Sequence, residues 1–404
     1  MLSKSLMLVL RLWHTLAVRV LLLAVLALLA VVLAPVLEPV IPKTLRDRFN
    51  QQAVLPILTI LASSMLAVTT FSLGVMVQAF RAASSQATPR AYRILIADPT
   101  TQNVLATFTG AFLFALSAIV MFRAGYYGSA ASVVVFALTV FAIAGIIVAI
   151  LRWIDHLSRL GSMDHTLHMA EEAARAPLTA VIAQPCLGGV AQSRIPETAK
   201  PVKTIRAGYV QFIDIKRLQA LMEAHDARFH LRQTPGDYVM PGAVLGLTDT
   251  DAVDTQAICA CFTLGKTRSM EQDARFGLLV LNEIGTRALS SGVNDPGTAI
   301  DVIHRMTALL LEAGGPKDNA PLFDRVTVPP LQARSLIEDG YFAMIRCGAN
   351  QREVVDNLLS ALTALAHGGW DDLSRAADDA RNYALSHARA ALRVQQDKDW
   401  LERQ

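Results

Sequence analysis

The sequence predicts an α-helical membrane domain of four transmembrane helices, followed by a cytoplasmic α+β region with a small β-rich module and a helical C-terminal part. Three observations predict it. Hydrophobic residues make up 53% of the 404 residues and charged residues only 18%, too apolar a balance for an ordinary soluble chain. The apolar excess lies in residues 1–155. Beyond it, short strand patterns bounded by Gly and Pro give way to helical periodicity.

A hydrocarbon core about 30 Å thick needs roughly 20 apolar residues of helix. Four stretches of the 1–155 domain qualify, at about 20–37, 53–80, 103–122 and 129–151. The first follows Lys4, Arg11 and Arg19, as the core of a signal peptide would. Three more spans come after it without a clean small-residue cleavage site, so a retained helix is expected. Residues 6–18, with Arg11, Trp13 and His14 among leucines, have the pattern of an interfacial helix. An N-terminus on the cytoplasmic side puts Lys4, Arg11, Arg19, Arg81, Arg90, Arg93, Arg152 and Arg159 inside. Lys43, Arg46, Arg48 and Arg123 then fall outside. That imbalance favours cytoplasmic N- and C-termini.

Within the second span, Thr59, Ser63, Thr70, Gly74 and Gln78 recur at helical spacing and share one face. A small, hydroxyl-rich stripe has two explanations. One is close helix packing; the other is the lining of a wet path in a homo-oligomer. No charged residue lies inside any span, which disfavours an ion-coupled carrier and leaves a passive pore open. The span exceeds the bilayer core, so it tilts or projects into the cytoplasm. The loop after it carries Ser84, Ser85, Gln86, Pro89 and Arg90, and Pro89 breaks the helix there. Arg81, Arg90 and Arg93 either touch anionic lipid headgroups or simply fix the topology.

Residues 156–202 form a helix and linker. His156, His165, His168, Glu171 and Glu172 lie on the helix, and Pro177, Pro185 and Pro196 mark the linker. His165 and His168, at i and i+3, would suit two metal ligands, but nothing else in the spacing demands a metal, a solvated amphipathic face is the favoured reading, and no metal is assigned. The module at 203–268 has strand patterns at 208–214 and 228–233, with a helix at 215–225 between them. Pro235-Gly236-Asp237 through Pro241-Gly242 then makes a tight β-arch. Its turns are similar to those of lipoyl-like barrel-sandwich domains, but no lysine sits there to carry a prosthetic group, and no cofactor is expected. Cys259 and Cys261 fit the next strand as small core residues. With Cys186 and Cys347 they suggest no disulfide framework.

Residues 269–404 read as helical, with helices at 274–289, 352–366 and from 371 onward. Between 274–289 and a helix running to 311 lies a corner. Gly292 suits the end of the first helix, Asn294 or Asp295 caps the second, and Pro296 fits its first turn. Polar density there (Glu283, Arg287, Ser290, Asn294, Asp295 and Thr298) also makes the corner the best candidate for a soluble-side site. No nucleophile elbow, P-loop, dinucleotide fingerprint or zinc motif is present. Ser290 has no base within reach, since His304 lies about two turns further on, and no catalytic residue is assigned. A net charge of +3 argues against nucleic acid as a partner.

Two stretches carry a family likeness. One is Ala83-Ser84-Ser85-Gln86 through Pro89-Arg90. The other joins Asp273, Phe276 and Gly277 to Arg287-Ala288-Leu289-Ser290, Val293-Asn294-Asp295-Pro296 and Thr298-Ala299. With Gly208-Tyr209-Val210 and Pro235-Gly236-Asp237, the chain resembles the DUF2254 predicted membrane proteins of bacteria over most of its length. The resemblance implies this architecture and a bacterial inner-membrane location, and it supplies no reaction. Two function classes follow. One is a homo-oligomeric channel or pore-like, transport-related protein whose cytoplasmic part assembles or gates it. The other is a membrane-anchored ligand-sensing or scaffold protein without transport.

Overall fold

The computed structural model describes residues 25, 41–86, 88–96, 98–317 and 319–404, with backbone alone at 82–86. The expected interfacial stretch at 6–18 and the first expected span at 20–37 lie outside these residues, apart from Val25. The described helices begin with α1 (Lys43–Arg48), α2 (Gln51–Gln86), α3 (Pro89–Ile96), α4 (Pro99–Arg123) and α5 (Ser129–Arg159). Among the described residues three helices are long and apolar enough to cross a membrane: α2 up to Arg81, α4 and α5. The chain divides into two compact units. One holds Leu95–Ser162 and the described residues up to Ala83; the other holds Ser84–Ile94 and Met163–Gln404.

In the apolar helical unit, α2 buries Val54, Leu58, Leu61 and Met65, spaced as one helical face. On α4, Ala111, Ala115 and Ala118 are buried at i, i+4 and i+7, and small residues at that spacing let helices approach closely. Asp98 caps α4 by accepting the Thr100 and Thr101 amides, with Pro99 in the first turn. His156, His165, His168, Glu171 and Glu172 were expected on one helix. Instead α5 stops at Arg159, and Gly161 takes a left-handed φ of 87° before the next helix begins.

The α+β unit opens with α6 (Met163–Ala183), which carries Pro177 inside it. A linker was expected from that proline. Burial of Ala170, Ala174 and Leu178 in the core outweighs the one backbone bond that Pro177 removes. Next come β1 (Gly189–Ala191), β2 (Lys200–Lys203), β3 (Gly208–Ile213), α7 (Ile215–Ala224), β4 (Phe229–Leu231), β5 (Tyr238–Val239), β6 (Val244–Thr248), α8 (Thr255–Cys259) and β7 (Phe262–Gly265). Then follow α9 (Ala274–Ala288), α10 (Pro296–Ala313), β8 (Phe323–Val328), α11 (Ala333–Gly348), α12 (Arg352–Ala366), α13 (Asp371–Ala391) and α14 (Gln395–Leu401).

The five-stranded sheet has the order β1-β8-β4-β6-β2, and a smaller sheet has the order β5-β3-β7. β8 pairs parallel to both β1 and β4. The β region therefore recruits a strand from a stretch that reads as helical, and its parallel centre is not the sandwich of tight arches suggested by its turns. Parallel pairing needs a long crossover, which here runs through α9 and α10. Cys259 closes the short helix α8 instead of standing on a strand, and Cys261 follows it, fully buried. The helices α6 and α9–α13 share one core around Tyr341, whose hydroxyl lies 2.8 Å from Thr307 Oγ1.

His230 on β4 is buried, with Nδ1 2.9 Å from Thr327 Oγ1 and Nε2 without a hydrogen-bond partner among the described residues. Burial pushes its pKa below 6.5. Its neutral form belongs to the folded state, so its contribution is complete above about pH 6.5 and is lost as pH falls through the depressed folded value. Between pH 7.5 and 5.5 the wild type is expected to lose on the order of 1 kcal/mol more than a His230→Gln variant. Thermal unfolding at both pH values checks this, and equal losses in the two proteins would refute it.

Candidate functional site

The stripe on α2 is fully outward. Thr59, Ser63, Thr70, Gly74 and Gln78 are all exposed, and no atom lies within 4 Å of where a Gly74 side chain would begin. Each hydroxyl is satisfied within its own helix. Thr59 Oγ1 donates to the Leu55 carbonyl at 2.9 Å, Ser63 Oγ to the Thr59 carbonyl at 3.0 Å, and Thr70 Oγ1 to the Leu66 carbonyl. The hydroxyls of the stripe are therefore all met, and the packed face of α2 is a different one. Exposed Ile60, Leu66, Phe71 and Val77 flank it.

The loop after α2 breaks between Gln86 and Pro89, as the proline requires. The side chains of Ser84, Ser85 and Gln86 lie outside the described residues. Pro89 opens α3, and Thr88 Oγ1 accepts the Ala91 amide at 3.3 Å. Ala91 is 1% exposed and Ile94 packs against the same helical core as α9 and α11. The Arg90 guanidinium pairs with Glu283 on α9, 193 residues away. The two sets of sequence candidates, loop and corner, thus meet at one ion pair. Partly exposed, it is worth about 0–1 kcal/mol, so Ala91 and Ile94, not the charges, hold α3 in place.

The rest of the corner does not converge. Asp295 caps α10, accepting the Thr298 amide at 3.0 Å and its hydroxyl at 2.6 Å. Those hydrogen bonds hold its carboxyl below the usual value. Asn294 takes a left-handed φ of 50° and accepts from Gln351 Nε2 at 3.4 Å. Ser290 is exposed, and its carbonyl accepts the Val293 and Asn294 amides. Arg287 is half-buried one turn beyond Glu283. Asp295 and Thr298 are thereby accounted for as a cap worth about 1 kcal/mol.

Two clusters escaped the sequence reading. In the apolar unit, His156 Nε2 stands 3.0 Å from Asp98 Oδ2 and 3.0 Å from Thr101 Oγ1, and Thr101 donates to Asp98 at 2.7 Å. All three are buried. His156 therefore does not sit on a solvated face, because α5 continues as helix past 151 and turns it inward. The available signal was Asp98-Pro99, a cap-and-proline pair at the start of an apolar run. In the α+β unit, Asp273 caps α9 through the Arg275 and Phe276 amides. It also holds Arg268 by two bonds, 2.8 Å from Nε and 3.0 Å from Nη2. Burial pushes the Asp273 carboxyl up, and the Arg268 charge opposes that push. Among the described residues no group of three or more His, Cys, Asp or Glu is arranged to hold a metal ion; His165 and His168 stand on α6.

Comparison with known proteins adds family but no activity. The chain is 34% identical over 122 residues to an uncharacterized protein of Mycobacterium bovis and, equally, to one of Mycobacterium tuberculosis. The aligned segment covers 28% of this chain and 23% of each relative, so the chain spans under a quarter of the length of those curated relatives. No solved structure matches it. The family model described as "Predicted membrane protein (DUF2254)" matches residues 11–364, and on that match the chain belongs to the DUF2254 family of predicted membrane proteins.

Proposed function

We propose that this is a multi-pass protein of the bacterial inner membrane that assembles with copies of itself into a pore-like structure, with the α+β unit as its cytoplasmic assembly or gating part. One observation carries the reading: Thr59, Ser63, Thr70 and Gln78 on α2 are all exposed. Their hydroxyls are met within the helix, so they can border lipid, a second copy or water without an unpaired group. In an oligomer closed around α2, Thr59, Ser63, Thr70 and Gln78 line the axis. Support for a gating role comes from α3. Ser84–Ile94, which hold the end of α2 and most of α3, belong to the same compact unit as residues 163–404, so a change in that unit reaches the end of α2. Flux of ions and small solutes from liposomes tests the proposal. A Thr70→Leu/Gln78→Leu protein is expected to pass solute more slowly by on the order of tenfold, since an apolar constriction dewets. Wild-type protein that passes nothing under tension, voltage or pH change would end this reading.

The docking of α3 through Ala91 and Ile94 also favours a second reading, a membrane-anchored ligand-sensing or scaffold protein without transport. Ala91 and Ile94 couple the membrane helices to the α+β core whether or not a path exists.

A further inference from the structure

The α+β unit contains a cavity of about 230 Å³ where the starts of α9 and α11 meet the segment after β4. Its lining is chemically mixed. Val181, Leu187, Val328 and Leu331 are apolar, and Arg232, Arg275, Gln332 and Ser335 are polar. Among the lining side chains the only carboxylate is Asp273, whose oxygens already accept from Arg268 and from the Arg275 and Phe276 amides. Arg275 gives its Nε to Asp339 at 2.7 Å, and its terminal nitrogens make no hydrogen bond among the described residues. Arg232 is exposed and has no ion pair among them. Arg275 is also attracted by Asp273 and Asp237, so the positive charge on the wall left unmatched within the fold is that of Arg232. Gln332 is the N-cap residue of the 16-residue helix α11 and gives it no side-chain cap, and the helix start adds a favourable but small field for negative charge. Thr234-Pro235 and Asp273, from two stretches singled out in the sequence, come together at this wall.

We infer that this cavity binds a small organic oxyanion, a carboxylate or a phosphate monoester on a short apolar group. Two guanidiniums recognise a planar or tetrahedral oxyanion through charge-assisted hydrogen bonds. The apolar lining takes the remainder, and the volume limits it to a few carbons beyond the head group. The inference does not depend on the pore reading, and it supplies the ligand class for the sensing reading.

The test uses full-length protein in a zwitterionic detergent, with butyrate, n-butyl phosphate and neutral butanol as probes. Calorimetry and thermal unfolding are run on wild type and on Arg232→Gln. The exposed side chain of Arg232 makes that variant safe for the fold, and identical micelles cancel probe partitioning. Saturable binding of at least one anionic probe is expected, weakened about tenfold by Arg232→Gln, with no saturation by butanol. The probe that binds more tightly assigns the head group as carboxylate or phosphate. Failure of both anions to saturate, or binding unchanged by Arg232→Gln, overturns the inference. Binding without liposome flux would leave it standing while the pore reading fell.

Discussion

Replacing Asp273 with alanine is expected to lower the stability of the α+β unit by about 3–5 kcal/mol. Asp273 is 2% exposed and performs two tasks. It caps α9, and it neutralises Arg268, whose side chain is 14% exposed and stacks over Phe276 at 4.9 Å. Loss of the cap alone costs about 1 kcal/mol. The larger part is the stranded Arg268 charge, which keeps its ring contact but loses both carboxylate bonds. Asp273→Asn separates the two tasks, because asparagine caps nearly as well as aspartate but cannot balance the guanidinium, and it is expected to fall between alanine and wild type. For a unit of this size each kcal/mol moves Tm by roughly 2–4 °C, so Asp273→Ala should unfold at least about 6 °C lower in detergent. A shift below about 3 °C would mean that Arg268 finds another partner and that this account of the pair is wrong.

Gly277 should also resist substitution. A side chain built there would start 2.3 Å from Ala174 Cβ and 2.6 Å from Ala174 Cα on α6. Two effects compete in Gly277→Ala. Helix propensity favours alanine by about 1 kcal/mol, whereas overpacking costs about 1–3 kcal/mol. Overpacking wins because the obstructing atoms are an alanine methyl and helix backbone, neither of which can rotate aside. Gly277→Ala is therefore expected to destabilise, and Gly277→Leu to cost about 3 kcal/mol or more. The contrast is Gly292, whose added methyl meets nothing within 4 Å; Gly292→Ala should be near neutral in the same unfolding measurement. Equal Tm values for the alanine variants at 277 and 292 would show that α6 and α9 yield to the added volume.

What was legible in advance is what depends on neighbours in the chain. An uncharged run of 20 residues is a local property, so three of the expected spans appear as helices in the right places, each extended at one or both ends. Caps are local too: Asp295-Pro296 and the break at Pro89 behave as their chemistry requires. The outward direction of the α2 stripe was not legible. Period alone says that Thr59, Ser63, Thr70, Gly74 and Gln78 share a face, and only packing of the opposite apolar face decides which way it looks.

The features set by tertiary structure all join distant residues. β8 enters the sheet between β1 and β4 because the helices between β7 and β8 carry the chain back, and strand periodicity names no partner. Arg90 meets Glu283, His156 meets Asp98, and Arg232 shares a cavity with Arg275. None of these pairs has a sequence spacing that marks it. The sequence by itself determined the apolar helices and their ends, because those are written in consecutive side chains. Which polar groups are buried, paired or left facing a cavity was decided only when the α+β core closed around α3, α9 and α11.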